Sequence, residues 1–422
     1  MKQERDKTLR VMMAVGAVLA AVNIILAVYL IVRHFSNKKE FVQASEISEI
    51  VTSSEIPVEV TTAVMSLQDK IDDMMLIAEK MTLHEKVCQL FIVTPEALTD
   101  GNDITEATEY TKEALERYHV GGLIYFEKNL ESQTQARELI SNTKKYAKEL
   151  DCIPLFYGID EEGGDVARCS DAVGTTAFDP MYYYHILGRQ TSYANARTIA
   201  GDLMSLGFNL DFAPVADTWS NIYNTVIGTR AYSDNFIETA DLVSYAVKGF
   251  RDGGVLCTLK HFPGHGDTAE DSHNGTAVAY RSADELRSNE YLAFAEGIKS
   301  GADMIMTGHI TIPAIDELPA SLSQKIIKNE LRDYLGYDGV IITDSLEMGA
   351  ITNTYTSAQA AVMAINAGND ILLTPQNFHE AVEGVEEAVK NGIISEERIT
   401  ESVARILEVK NRKMDINQAG TE

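Results

Sequence analysis

Reactive side chains concentrate in one stretch of this chain, Lys260-His261-Phe262-Pro263-Gly264-His265-Gly266-Asp267-Thr268-Ala269-Glu270-Asp271-Ser272-His273. It holds three of the nine histidines, three acidic residues and a lysine. Histidines and carboxylates at this density suit proton transfer near neutral pH, or metal binding. The spacing lacks the helical HExxH form of a zinc site, so no metal is expected. Pro263, Gly264 and Gly266 hold an irregular backbone, and the apolar run Gly254–Leu259 before them reads as a buried strand. A rigid polar loop leaving a buried strand is where α/β enzymes place their reactive groups.

The elements that position this loop follow from the apolar periodicity. Strand-like runs occur at Val87–Thr94, Gly121–Phe126, Ile153–Ile159, Phe208–Ala213, Val255–Phe262, Ala302–Thr307, Gly339–Thr343 and Asp370–Thr374. Most lack in–out alternation, as strands covered on both faces do. Amphipathic stretches lie between them, among them Ser132–Leu150, Ala194–Leu206, Ile237–Asp252 and Ser282–Ser300, and a last one spans Ser395–Lys410. A doubly wound open sheet has the same local pattern. Eight strands alternating with helices favour a single (β/α)8, TIM-like barrel.

In such a barrel the C-terminal strand ends face one mouth. There the sequence places Asp160, then Asp211 and Asp217, then Lys260-His261, His309 and Asp344. Any one of these is explained equally well by a helix cap or a loop salt bridge. Their recurrence at successive strand ends is not.

Composition narrows the classes. A formal net charge of −27 excludes the basic footprint of a nucleic-acid binder. Hydrophobic content of 45% supports a large core. Cys88, Cys152, Cys169 and Cys257 show no CxxC spacing, and three fall in apolar runs, so buried free thiols are expected.

The unbroken apolar run Val11–Val32 is long enough for a membrane-spanning helix. Lys2, Arg5, Lys7 and Arg10 precede it, and Arg33, Lys38 and Lys39 follow, a slight bias toward an N-terminus inside. A cleaved signal peptide is the rival reading, with Val42-Gln43-Ala44 the best cleavage pattern on offer. The resulting division is a cytoplasmic tip and anchor over 1–35, a Ser/Thr/Glu/Val-rich stalk over 36–66, the barrel over 67–414 and a polar tail over 415–422. Thr82 and Glu85 form a capping-box signature near the start of the barrel.

Five motifs, in order and in fitting strand contexts, resemble family 3 glycoside hydrolases. They are Ile159-Asp160-Glu161-Glu162-Gly163-Gly164, Asn209 through Asp217, Ile227-Gly228-Thr229-Arg230, Lys260 through Asp267, and Ile342-Thr343-Asp344-Ser345-Leu346-Glu347-Met348. The triplet Asp271-Ser272-His273 is similar to the β-N-acetylglucosaminidase branch, and the resemblance runs from about Met81 to Ile406. It implies a retaining mechanism with Asp344 as nucleophile and His273, tuned by Asp271, as proton donor. It further implies that Asp160, Arg168, Arg230, Lys260 and His261 hold the sugar beside the nucleophile. His309 and Met348 match family positions as possible substrate contacts, while Asp211, His265 and Asp267 read as structural. No metal or organic cofactor is implied.

Two positions depart from the family pattern. Glu161 stands where Gln is common, and Asp165 where Arg is common. The second change implies a weaker grip on an anionic substituent such as a lactyl carboxylate.

The expected protein is therefore an exo-acting β-N-acetylhexosaminidase that removes terminal N-acetylglucosamine from peptidoglycan fragments or related amino-sugar glycans. Its barrel would be held outside the cell membrane by the N-terminal helix, or secreted after signal cleavage. A β-glucosidase or a glycoside phosphorylase on the same barrel, and a catalytically inactive wall-sugar-binding protein, are the alternatives. The sequence leaves the oligomeric state open.

Overall fold

The computed structural model describes residues 66–268, 275 and 277–414. Eight parallel strands form a nearly closed barrel: β1 Phe91–Val93, β2 Gly122–Ile124, β3 Phe156–Ile159, β4 Leu210–Asp211, β5 Leu256–Phe262, β6 Met304–Thr307, β7 Val340–Thr343 and β8 Leu372–Leu373. They hydrogen-bond in the order β8-β1-β2-β3-β4-β5-β6-β7. A bridge between Ile342 and Ile371 joins β7 to the approach of β8. Every residue of these strands is buried, because the barrel interior fills one face and the helices cover the other. That is the physical origin of the runs without alternation.

Local chemistry sets the helix starts. Thr82 and Glu85 make the reciprocal capping box and begin the helix Leu83–Gln89. This helix takes the first half of the run read from sequence as the strand Val87–Thr94, and the strand begins only at Phe91. A short apolar run does not distinguish a buried last helical turn from a strand. The stretch Ser282–Ser300 is likewise two helices, Ala283–Ser288 and Tyr291–Lys299, interrupted at Asn289 and Glu290.

All four cysteines are buried free thiols. Among the described residues no helix is long and apolar enough to cross a membrane. The run Val11–Val32, residues 36–65 of the stalk and the tail over 415–422 lie outside the described residues, and Ser66 caps the helix Leu67–Ala78.

The C-terminal helix Glu396–Met414 packs beside the helix Leu67–Ala78 and buries Lys410 completely. The Lys410 ammonium donates to Oε1 of Gln89 at 2.9 Å and lies 4.8 Å from the ring centre of Phe156. Burial pulls its pKa down from 10.5 to about 7. Between those values the unfolded chain binds the proton that the folded chain has released, so stability rises with pH across that window. Lys410→Met is expected to flatten the slope by about 1.4 kcal/mol per pH unit between roughly pH 7 and 10. Urea unfolding at pH 7, 8.5 and 10 measures it, and equal slopes for the two proteins would show that Lys410 is not held neutral.

Candidate active site

β3 ends at Ile159, and the chain turns at once into a small antiparallel hairpin, Glu161–Gly163 paired with Val166–Ala167. Gly163 and Gly164 make the bend with φ of +84° and +68°, where a side chain is strained. Extended backbone puts Asp160 and Glu162 on one side and Glu161 on the other. Glu161 therefore points away from the mouth, accepting the N–H groups of Cys169 and Ser170 at 2.7 and 3.1 Å. Its burial raises its pKa to about 7. Its own N–H donates to buried Asp211 at 2.9 Å, so Asp211 acts as a fastener between β3 and β4.

On the other side lies a buried ion network. Lys260, at the end of β5, contacts Asp160 Oδ1 at 2.6 Å and Glu162 Oε1 at 2.7 Å. Arg230 binds both oxygens of Glu162, at 2.8 Å each, and donates to the Val226 carbonyl at 2.9 Å. Burial works against the Glu162 charge, yet Arg230 and Lys260 hold its carboxyl well below the usual carboxylate range. The same carboxylates, acting against burial, raise the pKa values of Lys260 and Arg230. The contacts fix all four groups against one another at the ends of β3 and β5. Arg168 joins them from the short helix Arg168–Val173, and its Nε has no hydrogen-bond partner.

A second brace ties the loops after β4 and β5. The buried Asp217 carboxylate accepts the backbone N–H groups of His261 and His265 at 3.1 and 2.6 Å. It also meets His261 Nδ1 at 2.6 Å, which fixes the ring and assigns the Nδ1 proton. Gly266 is required here, since a Cβ would lie 1.7 Å from the Thr218 carbonyl oxygen. Asn224 adds a bond to the His265 carbonyl at 2.7 Å, and Arg281 grips Asp267 through two bonds of 2.8 and 2.6 Å.

Asp344 follows β7 directly, where its N–H still donates to the Thr307 carbonyl at 2.9 Å. The Ser345 N–H donates to its Oδ1 at 2.8 Å. Burial raises its pKa, but the imidazoles of His261 and His309, that N–H and the Lys260 ammonium outweigh it, so the carboxyl titrates below its ordinary value. A carboxylate that is ionised, partly buried and fixed at one oxygen is a competent nucleophile. His309 is fully buried, with Nδ1 2.7 Å from Ser321 Oγ and Nε2 2.8 Å from the Ser345 carbonyl. It braces the turn that carries Asp344. Met348 is buried at the start of the helix Gly349–Thr352.

The structure therefore brings Asp160, Arg168, Arg230, Lys260, His261 and Asp344 to one end of the barrel. Asp271 and His273 lie outside the described residues. Sequence reasoning placed Asp217 at the mouth without giving it a role, and did not single out Glu162 as a member of the site. Glu162 had a readable signal, its two-residue spacing from Asp160 on extended backbone. Among the described residues no group of histidines, cysteines and carboxylates is arranged to hold a metal.

An eight-stranded barrel with fixed charges at its C-terminal mouth and an ionised aspartate after β7 defines the class of this protein. The chain belongs to glycosyl hydrolase family 3, whose N-terminal domain matches residues 82–409. It is 36% identical over 326 residues to beta-hexosaminidase A of Pseudoalteromonas piscicida, a match covering 71% of this chain and 54% of that one. It is 32% identical over 295 residues to the beta-hexosaminidase of Stenotrophomonas maltophilia strain K279a, covering 67% and 84%. A family 3 β-N-acetylglucosaminidase from Paenibacillus sp. FPU-7 superposes with a TM-score of 0.74 at 39% identity, over 79% of this chain and 63% of that one. The chain thus spans about half of the first of these relatives and most of the second.

Proposed function

We propose that this protein is a retaining, exo-acting β-N-acetylhexosaminidase that releases terminal N-acetylglucosamine from amino-sugar glycans such as peptidoglycan fragments. The observation that carries the reading is the ionised Asp344 carboxylate beside the Lys260–Asp160–Glu162–Arg230 network. The beta-hexosaminidases and the β-N-acetylglucosaminidase to which the chain is similar support the choice of sugar.

In the first step an Asp344 oxygen attacks the anomeric carbon as the glycosidic bond breaks, and His273 gives its proton to the departing oxygen. The product is a glycosyl ester of Asp344. In the second step His273 takes a proton from water, whose oxygen displaces the ester and regenerates both groups. Asp271 orients the His273 ring and favours its protonated form before the first step. Asp160, Glu162, Lys260, Arg230, Arg168 and His261 bind the sugar hydroxyls. The bonds among Asp160, Glu162, Lys260 and Arg230, and that of His261 to Asp217, hold these groups in place before substrate arrives, so little reorganisation accompanies the reaction.

Hydrolysis of the 4-nitrophenyl β-glycosides of N-acetylglucosamine and of glucose tests the reading. The N-acetyl sugar is the expected substrate. His273→Ala should slow a disaccharide by about 10²-fold or more, and the aryl glycoside less, because nitrophenolate departs with little protonation. Preference for glucose would sink the N-acetyl assignment, and equal losses on the two leaving groups would remove His273 as proton donor.

We further propose that Val11–Val32 is a single-pass anchor holding the barrel outside the membrane; its length and apolar character support this. Retention of the full chain in membranes after alkaline carbonate washing is expected, and release into the wash would count against it.

A further inference from the structure

Glu290 stands in the break between the helices Ala283–Ser288 and Tyr291–Lys299 and is only 4% exposed. Among the described residues neither of its carboxyl oxygens has a hydrogen-bond partner. Such a group costs stability, and native folds contain few. The side chain lies against the loop that leaves β5. A Cβ on Gly264, whose φ is +127°, would come within 2.8 and 2.9 Å of Glu290 Cγ and Cβ. One residue on, the Tyr291 ring stacks on Phe262 with 5.1 Å between ring centres. Glu290 and Tyr291 therefore support the turn in which the Gly264 N–H donates to the His261 carbonyl at 2.8 Å.

The charges around Glu290 offer it no counter-ion. The groups that face it are Asp267 on the loop, Arg281 at the approach to the first helix, Glu285 within that helix and Tyr291 beside it. Arg281 is the one cation of these four, and it is committed elsewhere. Its Nε and Nη2 donate to Asp267 at 2.8 and 2.6 Å, and its Nη1 lies 3.8 Å from Glu285 Oε1. An ionised Glu290 would thus be buried beside two carboxylates that already occupy the arginine. Burial accordingly raises its pKa from 4.5 to about 7. The neutral acid is tolerated in this place. The carboxylate demands solvation, and the turn at Gly264 is packed against it.

We propose that Glu290 is a positioning residue for Lys260–Gly266: its uncharged form supports the turn that holds Lys260 and His261 in place, and loss of its proton to water loosens that turn and weakens catalysis. The effect on rate rests on the N-acetylhexosaminidase reading, and the effect on the loop does not.

Two measurements on the full chain test it. Backbone amide exchange, followed by mass spectrometry of peptides across Leu256–Thr268, compares wild type with Glu290→Gln. The wild type should exchange about tenfold faster than the variant at pH 8 and equally at pH 6. The second measurement is kcat/KM for N-acetylglucosaminyl azide, whose leaving group departs without protonation and so bypasses His273. With a midpoint near 7, about one molecule in ten keeps the proton at pH 8. Wild-type kcat/KM should therefore fall about tenfold between pH 6 and pH 8 relative to Glu290→Gln. Glu290→Met, equally uncharged, should match Glu290→Gln, and it decides if that variant does not fold. Equal exchange of wild type and variant at pH 8, or parallel pH profiles, overturns the proposal. The expected exchange difference in a chain that cleaves neither the azide nor the 4-nitrophenyl glycoside at any pH would keep the loop assignment and overturn the N-acetylhexosaminidase reading instead.

Discussion

Asp344→Asn is expected to lower turnover of 4-nitrophenyl β-N-acetylglucosaminide by about 10³-fold or more, with the barrel still folded. An amide has nearly the shape of a carboxylate, and its oxygen still accepts the Ser345 N–H. What it lacks is the charge, and with it the capacity to form the glycosyl ester. The surroundings are arranged for that charge: His261, His309 and Lys260 all act to keep the carboxyl ionised. Initial rates beside a far-ultraviolet circular dichroism spectrum measure the effect. Turnover within tenfold of wild type, with an intact spectrum, would place the nucleophile elsewhere.

The second large effect concerns stability at the opposite end of the barrel. Asp370 precedes β8 and is completely buried. Its Oδ2 accepts from Arg332 at 2.7 Å and from the Ile341 N–H at 3.0 Å. Its Oδ1 accepts from Ser402 at 2.7 Å and from Arg405 at 3.2 Å, and Arg398 lies 3.7 Å away. One carboxylate thus joins β7, the ten-residue helix Lys325–Tyr334 and the C-terminal helix.

Removing that charge leaves three arginines facing one another in a poorly solvated space. Asp370→Asn is expected to cost about 3–5 kcal/mol of folding stability. Burial raises the Asp370 pKa, but the arginines outweigh it and hold the carboxyl below its ordinary value of 3.8. Its contribution is therefore present above the unfolded value and lost as pH falls through the folded one. The difference in urea midpoint between wild type and variant should persist at pH 7 and shrink only in acid. A loss below about 1 kcal/mol at pH 7 would mean that water or rearranged arginines replace the carboxylate.

The positions of the site groups along the chain were legible without coordinates. Parallel strands buried on both faces need continuous apolar runs, so eight runs and the charges ending them could be read in order. Asp160, Lys260, His261 and Asp344 were found in this way, because each directly follows or ends such a run. The family motifs supplied Arg168 and Arg230, which lie on connecting segments that periodicity does not rank. The same pattern suits an open sheet, and only hydrogen bonding between β8 and β1, with the Ile342–Ile371 bridge, decides for the barrel.

Tertiary structure decided the rest. Val87–Gln89 is helical although buried throughout, since a buried helical turn and a buried strand present similar composition. The helix expected over Ser282–Ser300 breaks at Glu290, whose side chain packs where a Cβ on Gly264 would come within 2.8 Å. Most of all, sequence cannot assign partners. Among Asp160, Glu161 and Glu162, three adjacent carboxylates, one shares Lys260, one turns away to cap backbone N–H groups and one becomes the centre of the ion network. Sequence gives which residues can carry a charge. Which charges meet depends on the side of the backbone each occupies and on the loops folded against it, and that is settled only when the strands close side by side.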